Sequence, residues 1–190
     1  MPSPHDDAMS DSLAVLLDRA IQRRSDILLE GATMPARAIL ARGVHARSLH
    51  ASGRLVVSIR VHRTEHAVRW RSVLSGDVSE LLALSGTRWM PEPETVGTIH
   101  LEGLAEIAPG EQAALAEILL ERRRAPAGDR GPRLIGGIGA RSTGLGAELR
   151  EAAAEVYVPL DAAAEWERLA IEWALEDPPA VTRRARLEWL

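Results

Sequence analysis

The glycine-rich stretch RLIGGIGARSTGLGAEL, residues 133–149, constrains this chain more than any other segment. It lies between a short apolar segment and a run of Ala and Glu. Because glycine has no Cβ atom, a loop with this many glycines lets its backbone approach another group closely. That group could be the phosphates of a nucleotide cofactor, the backbone of an RNA strand, or another part of the same fold.

A dinucleotide site would need the pattern G-x-G-x-x-G between a strand and a helix. Gly137 and Gly139 fit the first two positions, but Ser142 stands at the third. Asp161, at the end of the next predicted strand, lies roughly where a ribose-binding acid is expected. The chain after the loop is too short to complete a doubly wound sheet. A small nucleotide-cofactor-binding enzyme that uses this loop therefore remains an alternative hypothesis.

A catalytic P-loop is excluded, because the chain has no Gly-Lys-Ser/Thr and no lysine at all.

Bulk properties limit the class of protein. A chain of 190 residues with 46% apolar residues predicts one domain over residues 11–190, with a core at about 54–147 and an αβα extension at 148–190. Residues 1–10 are expected to form a flexible tail. The absence of cysteine excludes disulfides and thiolate metal sites. No secretion signal or membrane span is apparent, so we expect a cytoplasmic protein without a metal or cofactor.

Charge is unevenly distributed although the net charge is only −4. Eight arginines and one acid lie between residues 37 and 71, and six arginines and one acid lie between residues 122 and 141. Residues 148–177 instead carry nine acids and two arginines. This asymmetry is typical of a protein that holds a polyanion on one side and a protein neighbour on the other.

Hydrophobic periodicity predicts an order of helices and strands. Helices are expected near residues 11–24, 78–85, 109–124 and 148–155, and strands at 55–61, 95–101, 134–135 and 156–160. Residues 67–73 are expected to return from strand 55–61 as a hairpin, and residues 25–53 to be irregular. Such a mixture predicts an α+β fold: a ferredoxin-like (RRM-type) antiparallel sheet with helices on one face, plus N- and C-terminal helical additions.

The glycine stretch, with the strand and helix before it, resembles that of the CRISPR-associated RAMP superfamily of ferredoxin-like RNA-binding proteins. Gly136-Gly137, Arg141 and Gly144-Leu145-Gly146 carry this resemblance, which covers roughly residues 95–147. It implies an antiviral-defence protein that holds the crRNA backbone inside a ribonucleoprotein effector complex. Its partners would be crRNA or target single-stranded RNA and other protein subunits, without a membrane.

The resemblance also implies a set of RNA-binding residues. In the loop these are Gly136, Gly137, Gly139, Arg141, Ser142, Thr143, Gly144 and Gly146. Around the predicted hairpin, Arg60, Arg69 and Arg71 would extend the basic track. Trp70 and Trp89 would stack on bases.

Catalysis is not expected. If the protein were an enzyme, the resemblance would make it an endoribonuclease, with His62 and His66 as weak candidates for the catalytic residues. The histidines show no metal-ligand spacing. A third hypothesis is a non-RNA assembly or adaptor protein that uses the acidic C-terminal segment.

Overall fold

A computed structural model describes residues 13–48, 55–61, 68–85, 96–126, 129–140, 142–160, 168–169 and 171–172. Its helices are α1 (Leu13–Arg23), α2 (Met34–Arg47), α3 (Trp70–Ser75), α4 (Val78–Ser85), α5 (Pro109–Arg124) and α6 (Ala147–Ala153). Its strands are β1 (Ile27–Gly31), β2 (Leu55–Arg60), β3 (Val96–Glu102), β4 (Arg133–Ile138) and β5 (Val156–Leu160). A 3-10 turn, Leu104–Glu106, follows β3.

All the strand pairs of the sheet are parallel, and the strand order is β2-β3-β4-β1-β5. The ferredoxin-like antiparallel prediction is therefore wrong. The predicted hairpin partner, residues 67–73, is not a strand, because α3 begins at Trp70. β2 instead pairs with β3, which the chain reaches through α3 and α4. A parallel pair requires such a crossover connection.

The segment predicted to be irregular contains an inner strand of the sheet, β1, and the helix α2. β1 lies between β4 and β5 and pairs with both, and Ile27, Leu28 and Leu29 are fully buried. A short, wholly apolar run is what a strand covered on both faces requires. α2 follows it after a turn of two residues.

Helices cover both faces of the sheet, which makes a three-layer α/β architecture. Alternate residues of β1 belong to two apolar cores. Leu28 lies in the core that also contains residues of α3, α4, α5 and α6, whereas Ile27 and Leu29 lie in the core that contains residues of α1 and α2. Such alternation follows from the two-residue repeat of a strand.

Several local predictions are confirmed. Helix α4 begins after Asp77, whose Oδ1 accepts hydrogen bonds from the backbone N–H groups of Ser79 (2.9 Å) and Glu80 (3.3 Å), as an N-cap does. α5 carries Pro109 in its first turn and three arginines in its last. The segment after Gly146 is helical, as the sequence predicts.

The topology places a switch point between β1 and β4. From β1 the chain runs through α2 towards the β2 edge, and from β4 it runs through α6 towards the β5 edge. Ligands of open α/β sheets bind at the carboxyl ends of strands where the connections diverge in this way. The β1–α2 turn and the glycine-rich loop after β4 both lie at this point.

Candidate functional site

The β1–α2 turn has the strand–turn–helix form of a phosphate-binding P-loop, with different residues. From Gly31 to Ala38 the sequence is GATMPARA. It keeps the first glycine of G-x-x-x-x-G-K-[ST] and its spacing, but Ala36, Arg37 and Ala38 occupy the positions of the second glycine, the lysine and the hydroxyl residue. Sequence analysis missed this degenerate match because it searched for the lysine.

The turn directs two backbone carbonyl groups towards the guanidinium of Arg37. Gly31 and Ala32 have positive φ angles of 97° and 51°, which is unusual for the alanine. Their carbonyl oxygens accept hydrogen bonds from the Nη1 of Arg37, at 2.9 Å for Ala32. A phosphate group needs the opposite polarity, because its oxygens only accept and require N–H donors.

The N–H groups at the start of α2 are also engaged. Thr33 is the N-cap, and its Oγ1 accepts a hydrogen bond from the N–H of Ala36 at 3.4 Å. Pro35 has no N–H, and the N–H of Arg37 donates to the carbonyl oxygen of Thr33 at 3.1 Å. Of the donors that this helix N-terminus could offer to an anion, those of Ala36 and Arg37 are therefore used inside the protein, and Pro35 has none.

Arg37 fills the centre of this site and is 4% exposed. Its Nε donates to Glu102 Oε2 at 2.9 Å, and its Nη2 donates to Glu102 Oε1, so that the two side chains form a bidentate ion pair between α2 and β3. Such a fork is the strongest geometry available to arginine and a carboxylate. We call these two residues the internal ion pair.

The environment keeps Glu102 charged. Burial alone would raise the pKa of its carboxyl group, but the close approach of His100 and the hydrogen bonds and charge of Arg37 bring that pKa below its ordinary value. His100 is fully buried, and its Nε2 lies 3.5 Å from Glu102 Oε2. On the other side of the ring, Nδ1 lies 2.7 Å from Ser58 Oγ.

These residues belong to a polar row beneath α2. Thr98, His100 and Glu102 alternate along β3 and are all buried. Thr98 Oγ1 lies 2.8 Å from Nδ1 of His45 on α2. Each of the three side chains thus has a hydrogen-bond partner on α2 or β2, as buried polar groups usually do, but the buried Nε2 of His100 has no hydrogen-bond partner.

The two adjacent glycines of the opening stretch make room for neighbouring side chains, Gly137 for the internal ion pair and Gly136 for an apolar side chain. A Cβ atom at Gly137 would overlap Glu102 Oε2 and lie 3.2 Å from Arg37 Nε. A Cβ atom at Gly136 would lie 2.6 Å from a methyl group of Leu104. The close approach inferred from the sequence is therefore an approach by side chains of the same fold.

The rest of the glycine loop is attached to α5 by Gln112. Its Nε2 donates to the carbonyl oxygen of Gly144 at 2.8 Å, and its Oε1 accepts from the N–H of Gly146 at 2.7 Å. A Cβ atom at Gly144 would lie 2.5 Å from the carbonyl oxygen of Ala105. These glycines also serve close packing against a neighbouring part of the chain.

A cleft of about 230 Å³ opens beside the internal ion pair. Its lining includes Met34, Arg60, Glu106, Gly139 and Ser142. Arg60 and Glu106 form an exposed ion pair of 3.5 Å across it. Among the residues that the structure describes, the lining of this cleft thus presents two charge pairs and no excess of positive charge for a polyphosphate.

The other predicted site residues are spread over the molecule. Arg69 and Arg71 are exposed and pair with Glu80 (3.2 Å) and Glu121 (2.6 Å). Trp70 is 2% exposed, and its Nε1 donates to Glu111 at 2.7 Å, so its ring is part of the core. Ser142 is partly buried and Thr143 is exposed. Arg141, His62, His66 and Trp89 lie outside the described residues.

No cluster of three or more potential metal-ligating side chains occurs among the residues that the structure describes. Within the same part of the chain, no helix is both long and apolar enough to cross a membrane.

Comparisons with known proteins bear on the fold. No protein-family model matches the sequence, and no curated protein matches it. Among solved structures, that of NtrX from Brucella abortus in complex with ATP is similar, with a TM-score of 0.53 and 19% identity. The match covers 82% of this chain and 37% of the NtrX chain. At this identity the similarity shows the fold alone.

The function implied by the resemblance to the RAMP superfamily is corrected by these findings. The proposed crRNA-holding subunit depended on an antiparallel ferredoxin-like sheet, and the chain has a parallel α/β sheet similar to that of NtrX. The interpretation of the protein as an RNA-binding CRISPR component was therefore wrong.

Proposed function

We propose that this chain is a nucleotide-independent domain with the architecture of a nucleotide-binding α/β protein, and that it acts through its folded surface without hydrolysing a nucleotide. The observation that carries the proposal is the internal ion pair between Arg37 and Glu102. It occupies the place where a P-loop would hold phosphate, at the switch point of the sheet.

Three chemical requirements of a nucleoside triphosphate are unmet in this site. Arg37, at the lysine position, is engaged by Glu102 and by two backbone carbonyls. Ala38 has no hydroxyl group for Mg²⁺, to which a P-loop contributes Ser or Thr. The turn offers carbonyl oxygens where phosphate needs N–H donors. The residues present therefore do not fit a nucleotide with its metal ion.

The solved NtrX structure contains ATP, so nucleotide binding is the natural hypothesis for a chain with a similar fold. Arg37 offers a physical reason why this chain would differ. Its guanidinium supplies the positive charge of a P-loop lysine, but that charge is already neutralised. To admit a phosphate, the domain would have to break a buried bidentate pair and expose Glu102 to a second anion, which is strongly unfavourable.

A nucleotide titration tests the proposal. The purified protein is titrated with fluorescent mant-ATP and mant-ADP in the presence of Mg²⁺, and phosphate release is measured in parallel. We expect no saturable signal up to about 1 mM, which corresponds to a binding free energy weaker than about −4 kcal/mol. Saturable binding in the micromolar range would contradict the proposal.

A variant with a restored motif provides the matched positive control. The substitutions Ala36→Gly, Arg37→Lys and Ala38→Thr recreate G-x-x-x-x-G-K-T on the same backbone. If this variant binds mant-ATP and the wild type does not, the three side chains account for the difference. Equal binding by both proteins would show that the internal ion pair does not close the site.

A further inference from the structure

The cleft of about 230 Å³ beside the internal ion pair has the position of a ligand site, because it opens at the carboxyl edge of the parallel sheet. Four segments of the chain line it: the end of β2, the turn after β3, the start of α2 and the loop after β4. It is smaller than the pockets of about 300–1,000 Å³ that hold drug-sized ligands, so it suits a small molecule.

Backbone hydrogen bonds hold two walls of this cleft. After β3, the N–H of Glu106 donates to the carbonyl oxygen of Gly103 at 2.8 Å, and after β4 the N–H of Ser142 donates to the carbonyl oxygen of Gly139 at 3.1 Å. Gly103 has a positive φ of 84°, which turns the chain sharply at the end of β3. Walls that are already hydrogen-bonded lower the entropic cost of binding a ligand.

Two opposite charges stand side by side in the lining. Arg60 and Glu106 approach each other to 3.5 Å, and about half of each side chain is exposed, 52% and 47%. Among the described residues, neither side chain has another ion-pair partner. An exposed pair of this kind contributes little to stability, so separating its members costs little. A guanidinium and a carboxylate are therefore both available to a ligand.

The closeness of these two charges restricts the chemistry of that ligand. A simple anion would gain from Arg60 but would also approach the like charge of Glu106, and a simple cation meets the converse problem. A free α-amino acid carries its carboxylate and its ammonium group on the same carbon atom, so both groups can be paired at once. In a peptide the two charged termini lie farther apart.

The apolar part of the lining favours one kind of side chain on the ligand. Met34 and Ala105 contribute carbon surface to the cleft, and both are only partly buried. An aliphatic side chain that covers this surface is stabilised by the hydrophobic effect, and methionine adapts its shape to such a contact. The internal ion pair beside them is satisfied by its own members.

We propose that this cleft binds a free α-amino acid with an aliphatic side chain. Arg60 donates hydrogen bonds to the carboxylate of the ligand, and Glu106 accepts them from its ammonium group. The aliphatic side chain lies against Met34 and Ala105. This ligand contains no phosphate, so the inference does not depend on whether the domain binds a nucleotide.

Isothermal titration calorimetry of the full chain with L-leucine tests this inference. We expect saturable binding with a dissociation constant below about 1 mM, whereas no saturable heat up to about 10 mM would overturn the proposal. Two analogues remove one charge each: L-leucinamide lacks the carboxylate, and isocaproate lacks the ammonium group. Both should bind at least tenfold more weakly than L-leucine. Equal affinity of all three compounds would also overturn the proposal, because neither charge would then be recognised.

Conservative variants locate the site on the protein. Arg60→Gln and Glu106→Gln each remove one charge from a half-exposed side chain, so the fold is expected to persist, and circular dichroism checks it. Each variant should weaken L-leucine binding at least tenfold. Arg71→Gln is the matched control, because Arg71 forms an exposed ion pair with Glu121 at 2.6 Å and does not line the cleft. Equal affinities of all three variants would contradict a site at Arg60 and Glu106.

Amide NMR locates the bound ligand without relying on heat. L-leucine is expected to move the backbone resonances of Gly103, Gly139 and Ser142, which line the cleft. Shifts confined to residues outside the lining would contradict the assignment. None of these results bears on the titration with mant-ATP, so this inference and the proposed function are tested separately.

Discussion

Two buried arginines at opposite ends of the sheet show how differently one fold can accommodate the same charge. Arg37 and Arg133 are 4% and 6% exposed. Arg37 forms a bidentate pair with Glu102 and also donates to two carbonyl oxygens. Arg133 relies on a hydroxyl group and backbone carbonyls, and one of its donors has no partner.

This difference between Arg37 and Arg133 indicates how far each end of the sheet is already satisfied by the chain itself. At the carboxyl end, the position that phosphate would take is neutralised and hydrogen-bonded by the chain itself. At the amino end, the buried Nε of Arg133 has no hydrogen-bond partner, and burial lowers the pKa of its guanidinium to about 10. At the edge where α/β proteins usually bind ligands, the phosphate position is therefore occupied by the chain's own ion pair, although a cleft of about 230 Å³ opens beside that pair.

The largest expected effect comes from removing one member of the internal ion pair. Glu102→Ala leaves the Arg37 guanidinium buried without its counter-charge, so we expect the free energy of unfolding to fall by about 3–5 kcal/mol. Urea denaturation measures this change in the free energy of unfolding. Glu106→Ala is the control, because it breaks only the exposed pair with Arg60 and should cost less than about 1 kcal/mol.

Removing both charges should recover much of this loss. In the double variant Arg37→Met with Glu102→Leu, no charge remains to be buried, so its stability should lie above that of Glu102→Ala. If the variants Glu102→Ala and Glu106→Ala were equally stable, the buried ion pair between Arg37 and Glu102 would not stabilise the fold more than an exposed pair does.

A smaller effect is expected from the glycine beside the pair. Gly137→Ala would place a Cβ atom against Glu102 and Arg37, so we expect a loss of about 1–3 kcal/mol, measured by urea denaturation. Gly110→Ala is the matched control, because its Cβ meets nothing within 4 Å in the first turn of α5. That variant should be as stable as the wild type or slightly more stable. A tolerated alanine at residue 137 would mean that the pair is not tightly packed.

The smallest effect is a difference in how stability depends on pH at the two ends of the sheet, at Glu102 and at Asp26. Because the pKa of Glu102 is lowered from 4.5, its charged form stabilises the fold above that pH, and this contribution is lost as the pH falls through the lower folded value. The pKa of Asp26 is raised from 3.8, so its charge opposes folding at neutral pH and acidification relieves that cost. The two carboxyl groups therefore act in opposite directions.

Urea denaturation between pH 7 and pH 3 separates these contributions. Glu102→Gln should lose less stability than the wild type on acidification, and Asp26→Asn should lose more. The reverse order would contradict the charge assignments at both ends.

The sequence predicts most of the local structure correctly. Hydrophobic periodicity and helix caps predict four elements correctly: β3, β5, α4 and α5. They do so because each periodic pattern or cap involves residues that lie close together in the sequence. The pairing of strands is not local. Residues 67–73 have apolar residues at strand-like spacing, yet Val73 and Leu74 turn into the core from a helix. This error, together with the failure to predict β1 and α2 within residues 25–53, turned a parallel sheet into a predicted antiparallel one.

The site was harder to predict for the same reason. α2 has no clear apolar face, because Arg37 and His45 are buried with its apolar residues. Their partners, Glu102 and Thr98, are more than 50 residues away, at separations of 65 and 53. Only the spacing of Gly31, Ala36 and Arg37 pointed to a phosphate-binding turn, and its substitutions concealed it.

The most direct test of the closed site is an amide NMR titration with Mg-ATP. Backbone resonances of residues 31–38 report the β1–α2 turn, which surrounds any phosphate bound at the switch point. We predict that these resonances stay in place up to about 10 mM nucleotide in the wild type and move in the variant with the restored motif. Saturable shifts of the same resonances in the wild type would contradict the claim that Arg37 and Glu102 close this site.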